Sequence, residues 1–507
     1  MTPPHFAEPQ LPPGKSVPRA VIVGAGPNGL AAAAWLARAG WEVDVFERGD
    51  SPGGAAASAD VLGAGTIVDL GAAAHPFGVA SPVFRELELA DHGLEWLHSD
   101  YPMAHPLEDQ PAALLHRSLT ATAAGLGRDG AAWKRVHGHL VRNIDDHLDN
   151  LLGPMLRWPQ HPFRMAQFGA LAALPATATG KALFSGEAAR ALFAGSAVHA
   201  LLPPGRPFTS AFGMLFGALG MSRGWPVARG GTQAVVDALV SVVTSQGGRI
   251  HTGVEVRDLR ALPAAEATIL NLTPAQVLRL EHTDLPPRVR RRLAGWTYGP
   301  GVFKVDYLLD GPVPWADPRV GSATTVHVAG SVGEIQAAEE AAARGRLPER
   351  PFVMVCQQQA ADPTRTSGPA AGTQVLWTYA HVPNGYREPR PGLVAGLIEQ
   401  QIERFAPGLR DRVSHRVQHS PDELSAWNPN LIGGDIAGGG MGGLQLLLRP
   451  GLTADPYRLG GGGLYLASGA TPPGAGVHGV PGANAARAAI HDVGKTASGS
   501  GHRNGRH

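Results

Sequence analysis

Near the start of the chain, residues 20–23 are a short apolar, β-branched run, residues 30–39 are strong helix formers closed by Gly40, and residues 41–46 are mostly apolar, interrupted by Glu42 and Asp44. This order predicts a buried strand, a helix and a second strand, the strands running parallel. The alternation returns as a helix over residues 233–245 with strands over 249–256 and 267–271, and at the end as a strand over 464–467 and a helix over 483–490. Residues 298–315 alternate like a half-buried strand, residues 64–74 and 376–379 read as further strands, and residues 393–405 as an amphipathic helix. Between them, residues 81–221 are mainly helical, with helices over 131–152 and 186–202 separated by prolines.

The turn from the first strand into the first helix carries Gly24, Gly26 and Gly29, with Pro27 and Asn28 between the last two. In G-x-G-x-x-G the first glycine permits the sharp turn, the second lets a pyrophosphate approach the backbone, and the third lets helix and strand close on each other. The free N–H groups of the helix's first turn then bind the phosphates. Glu47 ends the second strand at the spacing of an acid that accepts hydrogen bonds from an adenosine ribose, with Arg48 beside it. A lone glycine motif is weak; its weight here comes from strand, glycines, helix, strand and acid arriving in order. Gly53, Gly54 and Ala55 follow the acid closely.

That second glycine pair resembles the start of phytoene-desaturase-like FAD-dependent oxidoreductases of the amine-oxidase-like flavoprotein superfamily. So do residues 223–256 and, most specifically, residues 463–489. The terminal stretch is similar above all to the branch named after pyridine nucleotide-disulfide oxidoreductase domain-containing protein 2. The resemblance implies an α/β fold: a Rossmann-like FAD-binding domain built from three chain segments, with a mixed α+β substrate domain inserted between them. The expected division is a disordered tail over 1–18, FAD-binding segments over 19–80, 222–294 and 426–492, substrate-domain segments over 81–221 and 295–425, and a disordered tail over 493–507.

The resemblance also assigns residues. Val254 matches a backbone contact to the adenine; Gly469, Gly476, Val477, His478 and Gly479 match the terminal FAD motif. The start of the last helix would face flavin N1 and O2, where it stabilises the anionic reduced ring. Lys304 matches a lysine that holds a water at flavin N5, although an edge-strand lysine in solvent fits the pattern as well. His75, ahead of Pro76, could face the isoalloxazine or be an ordinary loop histidine, and His478 is the other candidate histidine. Glycines crowded between residues 433 and 443 suggest backbone packed against a ligand.

Composition narrows the partners. Lys+Arg 43 against Asp+Glu 42 gives no electrostatic case for nucleic acid, and the 21 histidines form no spaced metal cluster. The single Cys356 excludes an internal disulfide or a redox pair, fits a reducing compartment, and reads as a core residue of a strand. No secretory signal and no membrane-length apolar run are visible, so the expectation is a cytoplasmic protein with peripheral membrane contact as an option. Trp158, Phe163, Phe168, Phe184, Phe193, Phe208, Phe212 and Phe216 are either core or the lining of an apolar channel or membrane-facing patch.

The resulting expectation is noncovalent FAD, hydride removal from an apolar, polyene- or isoprenoid-like substrate, and oxygen or a quinone as electron acceptor. A non-redox flavin-dependent isomerase or cyclase, and a non-enzymatic flavin-containing regulator, stay open as alternatives. The sequence carries no reading of the oligomeric state.

Overall fold

The computed structural model describes residues 17–500. Two sheets organise it. The first is five-stranded and wholly parallel, in the order Leu464–Leu466, Ala267–Leu270, Arg19–Val23, Glu42–Phe46, Arg249–His251. Its strands come from the beginning, middle and end of the chain. The second is seven-stranded, in the order Val413–His419, Gly301–Leu309, Gln374–Val382, Val353–Cys356, Ala323–Val328, Tyr101–His105, Ala113–Leu115. It is antiparallel except where Ala323–Val328 runs parallel to Tyr101–His105. Helices from residues 119–222 cover one end of this sheet with their own apolar cluster.

The first helix, Pro27–Arg38, owes its close packing to small residues. Ala31, Ala32, Ala33 and Ala34 are fully buried, and the terminal helix comes so near that a Cβ at Gly482 would lie 1.9 Å from the Asn28 carbonyl oxygen. Burial of these apolar faces against the sheet drives the domain's assembly.

Several expected elements have other bounds. The helix expected over residues 131–152 breaks at Asn143 into Gly130–Arg142 and Ile144–Leu151, and that over 186–202 ends at Ala197 before a 3-10 turn and a left-handed Leu201 (φ 50). The strand expected over 64–74 shrinks to Val68–Asp69, because Gly63 and Gly65 turn at positive φ. The strand over 249–256 stops at His251, before Gly253 at φ +68.

The terminal helix, Val480–Ser500, runs past residue 493, where the tail was expected to begin. Val493 still packs on the core, and beyond it each residue adds a backbone hydrogen bond without a new nucleation. The tail expectations for residues 1–16 and 501–507 lie outside the described residues. Among the described residues, no helix is long and apolar enough to cross a membrane.

Candidate functional site: a cleft running between the two sheets

The strands Arg19–Val23 and Ala267–Leu270 are neighbours, and Glu42–Phe46 lies on the other flank of the first. Strand order therefore reverses at this pair, and ligands of open α/β sheets bind in the crevice at such carboxyl ends. Gly24 turns there at φ +96. Gly29 has no room for a side chain, because a Cβ would lie 2.0 Å from the Gly24 carbonyl oxygen. Gly26 and Gly54 lie against each other: a Cβ on Gly54 would meet Gly26 Cα at 3.2 Å. Gly26 is also the cap of the first helix and offers no side-chain acceptor, and Pro27 carries no N–H, so at the start of this helix the Asn28 N–H stays available to an anion. Asn28 Oδ1 is buried without a hydrogen-bond partner among the described residues.

Asn271, just past its strand, was not foreseen as a site residue. With its amide turned to suit its neighbours, it accepts from Gly29 N at 3.3 Å and donates to Ala467 O at 3.2 Å, joining all three segments of the parallel sheet. Glu47 accepts from Ala25 N at 2.7 Å through one oxygen and from Gly49 N at 2.8 Å through the other. Arg48 donates to Trp427 O at 3.0 Å and so ties the end of the second strand to the far wall.

A cavity of about 1090 Å³ begins at Gly24, Gly26, Pro27, Asn28, Glu47, Arg48, Gly54 and Ala55 and continues past His75, Gly469, Gly476 and Val477 to Lys304 and the second sheet. Gly29, Gly53 and Gly479 stand behind its wall; Gly53 N donates to Ala25 O at 3.0 Å, and a Cβ on Gly479 would lie 2.8 Å from Ala31 Cβ. Val254 lines the cavity, but its N–H donates to Glu47 O at 2.8 Å. Val256 lines it too, and no hydrogen bond within the described residues engages its backbone.

The two candidate histidines differ. His75 is buried at the cleft, its Nε2 2.9 Å from Thr232 Oγ1, and burial lowers its pKa to about 4. His478 does not line the cleft. Its Nδ1 accepts from Val480 N at 3.2 Å at the start of the terminal helix, and burial lowers it to about 4 as well. Both rings are neutral at neutral pH. Of the glycine-rich stretch, Ile436, Ala437 and Gly438 line the cleft, whereas Gly439 packs on the Trp296 ring.

Lys304 is not a solvated edge residue. It lies on the strand second from the edge, is 2% exposed, opens onto the cleft and pairs with Asp306, a partner not foreseen. Around it the cleft is walled by Met354, Cys356, Trp377 and Tyr379 on one side and by His199, Phe216 and Trp225 on the other. The expected aromatic stretch therefore divides. Phe168, Phe184, Phe193 and Phe216 are buried, while Trp158 and Phe163 are 85% and 90% exposed.

The fold is shared with solved oxidoreductases, putrescine oxidase among them. Residues 22–88 match the NAD(P)-binding Rossmann-like domain family. The chain is homologous to pyridine nucleotide-disulfide oxidoreductase domain-containing protein 2 of Rattus norvegicus, being 27% identical over 557 residues that cover 94% of this chain and 93% of that one. Hydroxyneurosporene desaturase of Cereibacter sphaeroides is 28% identical over 305 residues, covering 52% and 57% of the two chains. Among solved structures, an oxidoreductase from Methanosarcina mazei superposes with a TM-score of 0.61 at 17% identity, over 93% of this chain and all of that one. Putrescine oxidase bound to putrescine superposes with a TM-score of 0.57 at 15% identity, over 94% and 99%.

Proposed function

We propose that the chain is an FAD-dependent oxidoreductase that holds its cofactor noncovalently and removes hydride from an apolar substrate of the isoprenoid or polyene kind. The observation that carries this reading is the distribution of charge along the cleft. Its lining acids, Glu47, Asp50, Glu255 and Glu281, all belong to the dinucleotide-binding segments. At the other end the walls are aromatic and aliphatic, and Lys304 brings the one lining charge. A protonated amine of the kind putrescine oxidase binds would be desolvated there beside a cation, with no carboxylate on the wall, which is costly. An apolar molecule meets no such penalty.

FAD is favoured over a nicotinamide nucleotide because the sequence carries one dinucleotide fingerprint, and the cleft beyond it runs inward between segments from both ends of the chain. A cosubstrate must leave at every turnover; a resident flavin need not. Gly24, Gly26 and the first-turn N–H of Asn28 would hold the pyrophosphate, and Glu47 retains acceptor capacity for ribose hydroxyls. Val256, with its free backbone, suits the adenine better than Val254. Ala55, Gly469, Gly476 and Val477 would pass close to the rest of the cofactor. Cys356 opens onto the substrate end, but burial pushes its thiol up to about 12, which supports noncovalent attachment.

A bound flavin supplies a hydride acceptor, with oxygen or a quinone taking the electrons onward. Lys304 would place positive charge where electron density enters the ring. The aromatic walls exclude water and orient the substrate. Peripheral membrane contact has support in Trp158 and Phe163, which precede and begin a helix, Pro162–Ala172, whose end is bonded to the cleft-lining helix region through Phe208 N to Ala173 O at 3.1 Å. The test is to add apolar extracts, acyclic polyenes and alkylamines to the purified protein under nitrogen. Bleaching of the flavin by the apolar compounds and not by amines is expected; bleaching by amines alone would overturn the substrate class.

A further inference from the structure

Lys304 and Asp306 are alternate residues of the strand Gly301–Leu309 and so project from the same face. Their side chains form an ion pair, Nζ donating to Oδ2, with both residues almost wholly buried. Only Lys304 opens onto the cleft; Asp306 stands behind it. Burial disfavours the charged form of each: it draws the lysine down and pushes the aspartate up to about 6, and each opposes the shift of the other.

Among the described residues no other carboxylate is paired with the ammonium, and the charge of Asp69 favours it less strongly. Asp69, from the first segment, is paired with Arg365 at 2.8 Å. Cys356 and Tyr379, on the strands beyond, are pushed upward by burial and stay neutral. His419, opposite Lys304 on the flanking strand, is drawn down by burial and by Lys304 itself. Trp377 contributes a ring face 5.6 Å from Nζ. Asp306 Oδ1 has no hydrogen-bond partner among the described residues, so the lysine is the principal support of this carboxylate as well.

We propose that Asp306 is a positioning residue whose carboxylate keeps Lys304 an ammonium at the wall of the cleft, giving the reacting end a fixed positive charge at neutral pH. The charge state stands on the ion pair alone, whereas its use against a flavin rests on the functional reading above. Without the carboxylate, a buried lysine sheds its proton far more readily. The asparagine variant preserves shape and removes that support.

The lysines of the chain are Lys15, Lys134, Lys181, Lys304 and Lys495, few enough for 15N-lysine labelling of the full chain with Lys304 assigned through Lys304→Met. In the parent, the Lys304 nitrogen should remain an ammonium across neutral pH. In Asp306→Asn it should lose its proton at least about one pH unit lower, a tenfold change in the equilibrium. Asp306→Glu should hold the ammonium with a measurably shifted titration. A Lys304 titration identical to the parent's in Asp306→Asn, or in Asp306→Glu should the asparagine variant not fold, overturns the proposal. With flavin bound, reoxidation by oxygen after photoreduction adds a second reading: flat with pH in the parent, and falling toward the Lys304→Met rate as pH rises in Asp306→Asn. A chain that carries no flavin defeats the functional reading and leaves the nitrogen titration to decide the charge state.

Discussion

His199 Nε2 lies 3.1 Å from His327 Nε2, and two neutral imidazoles can share that contact only as opposite tautomers. With one ring protonated the charged ring must be the donor, and with both protonated the two facing nitrogens are both donors and the bond breaks. Burial lowers His199 to about 3 and His327 well below its ordinary value, so the pair is held neutral. His75, His105, His137 and His478 are buried in the same condition, each at about 4.

These histidines set the acid stability. Unfolded, each binds a proton near 6.5; folded, not until about 4, so between these values the unfolded chain binds more protons and stability rises with pH. The contribution is present above about pH 6.5 and is lost as pH falls toward 4, by up to about 1.4 kcal/mol per unit for each group. The urea midpoint should therefore drop steeply between about pH 6.5 and pH 5. A flat midpoint over that range would show that these rings are not buried as neutral groups.

The glycines of the phosphate turn should separate by phenotype. Gly29→Ala places a Cβ 2.0 Å from backbone, which something must move to admit, and should cost about 1–3 kcal/mol or more in a denaturant titration. Gly26→Val meets first the Asn271 amide, at 2.9 Å from its Cβ, a side chain that can shift. It should fold and be colourless, because the pyrophosphate's place is taken. Full flavin content in Gly26→Val contradicts the phosphate assignment.

Lys304→Met should retain flavin but slow its reduction by substrate or its reoxidation by oxygen, by about 10²-fold or more for loss of one preorganised charge. Folding and flavin stoichiometry are established first, since Asp306 is left unpaired in this variant. Parent rates in both half-reactions would return Lys304 to a structural role.

Replacing Trp158 and Phe163 by serine removes two exposed rings and no core contact, so thermal stability should hold. Co-sedimentation with phospholipid vesicles should fall with them. Equal sedimentation of parent and variant would remove the membrane contact from the account.

The parallel sheet was legible because its central strands are short, largely apolar runs and its turn needs glycine at fixed spacing. Asp306 was also within reach, since an alternating strand puts it on the same face as Lys304. Asn271 and Val256 were not: what marks them is an amide facing the Gly29 N–H in one case and an unengaged backbone in the other, both set by how separated segments pack. The burial of Lys304 depends on Val413–His419 covering its strand, a pairing between residues far apart in the chain that local periodicity does not report. His199 and His327 meet across 128 positions for the same reason.

The most direct measurement is the absorption spectrum of the purified full-length chain, followed by acid precipitation and analysis of the supernatant. The expected result is the two visible bands of an oxidised flavin, bleached by dithionite, with FAD released in about one equivalent into the supernatant. A colourless protein that takes up no FAD when it is supplied, or a flavin that stays with the precipitate, would contradict it.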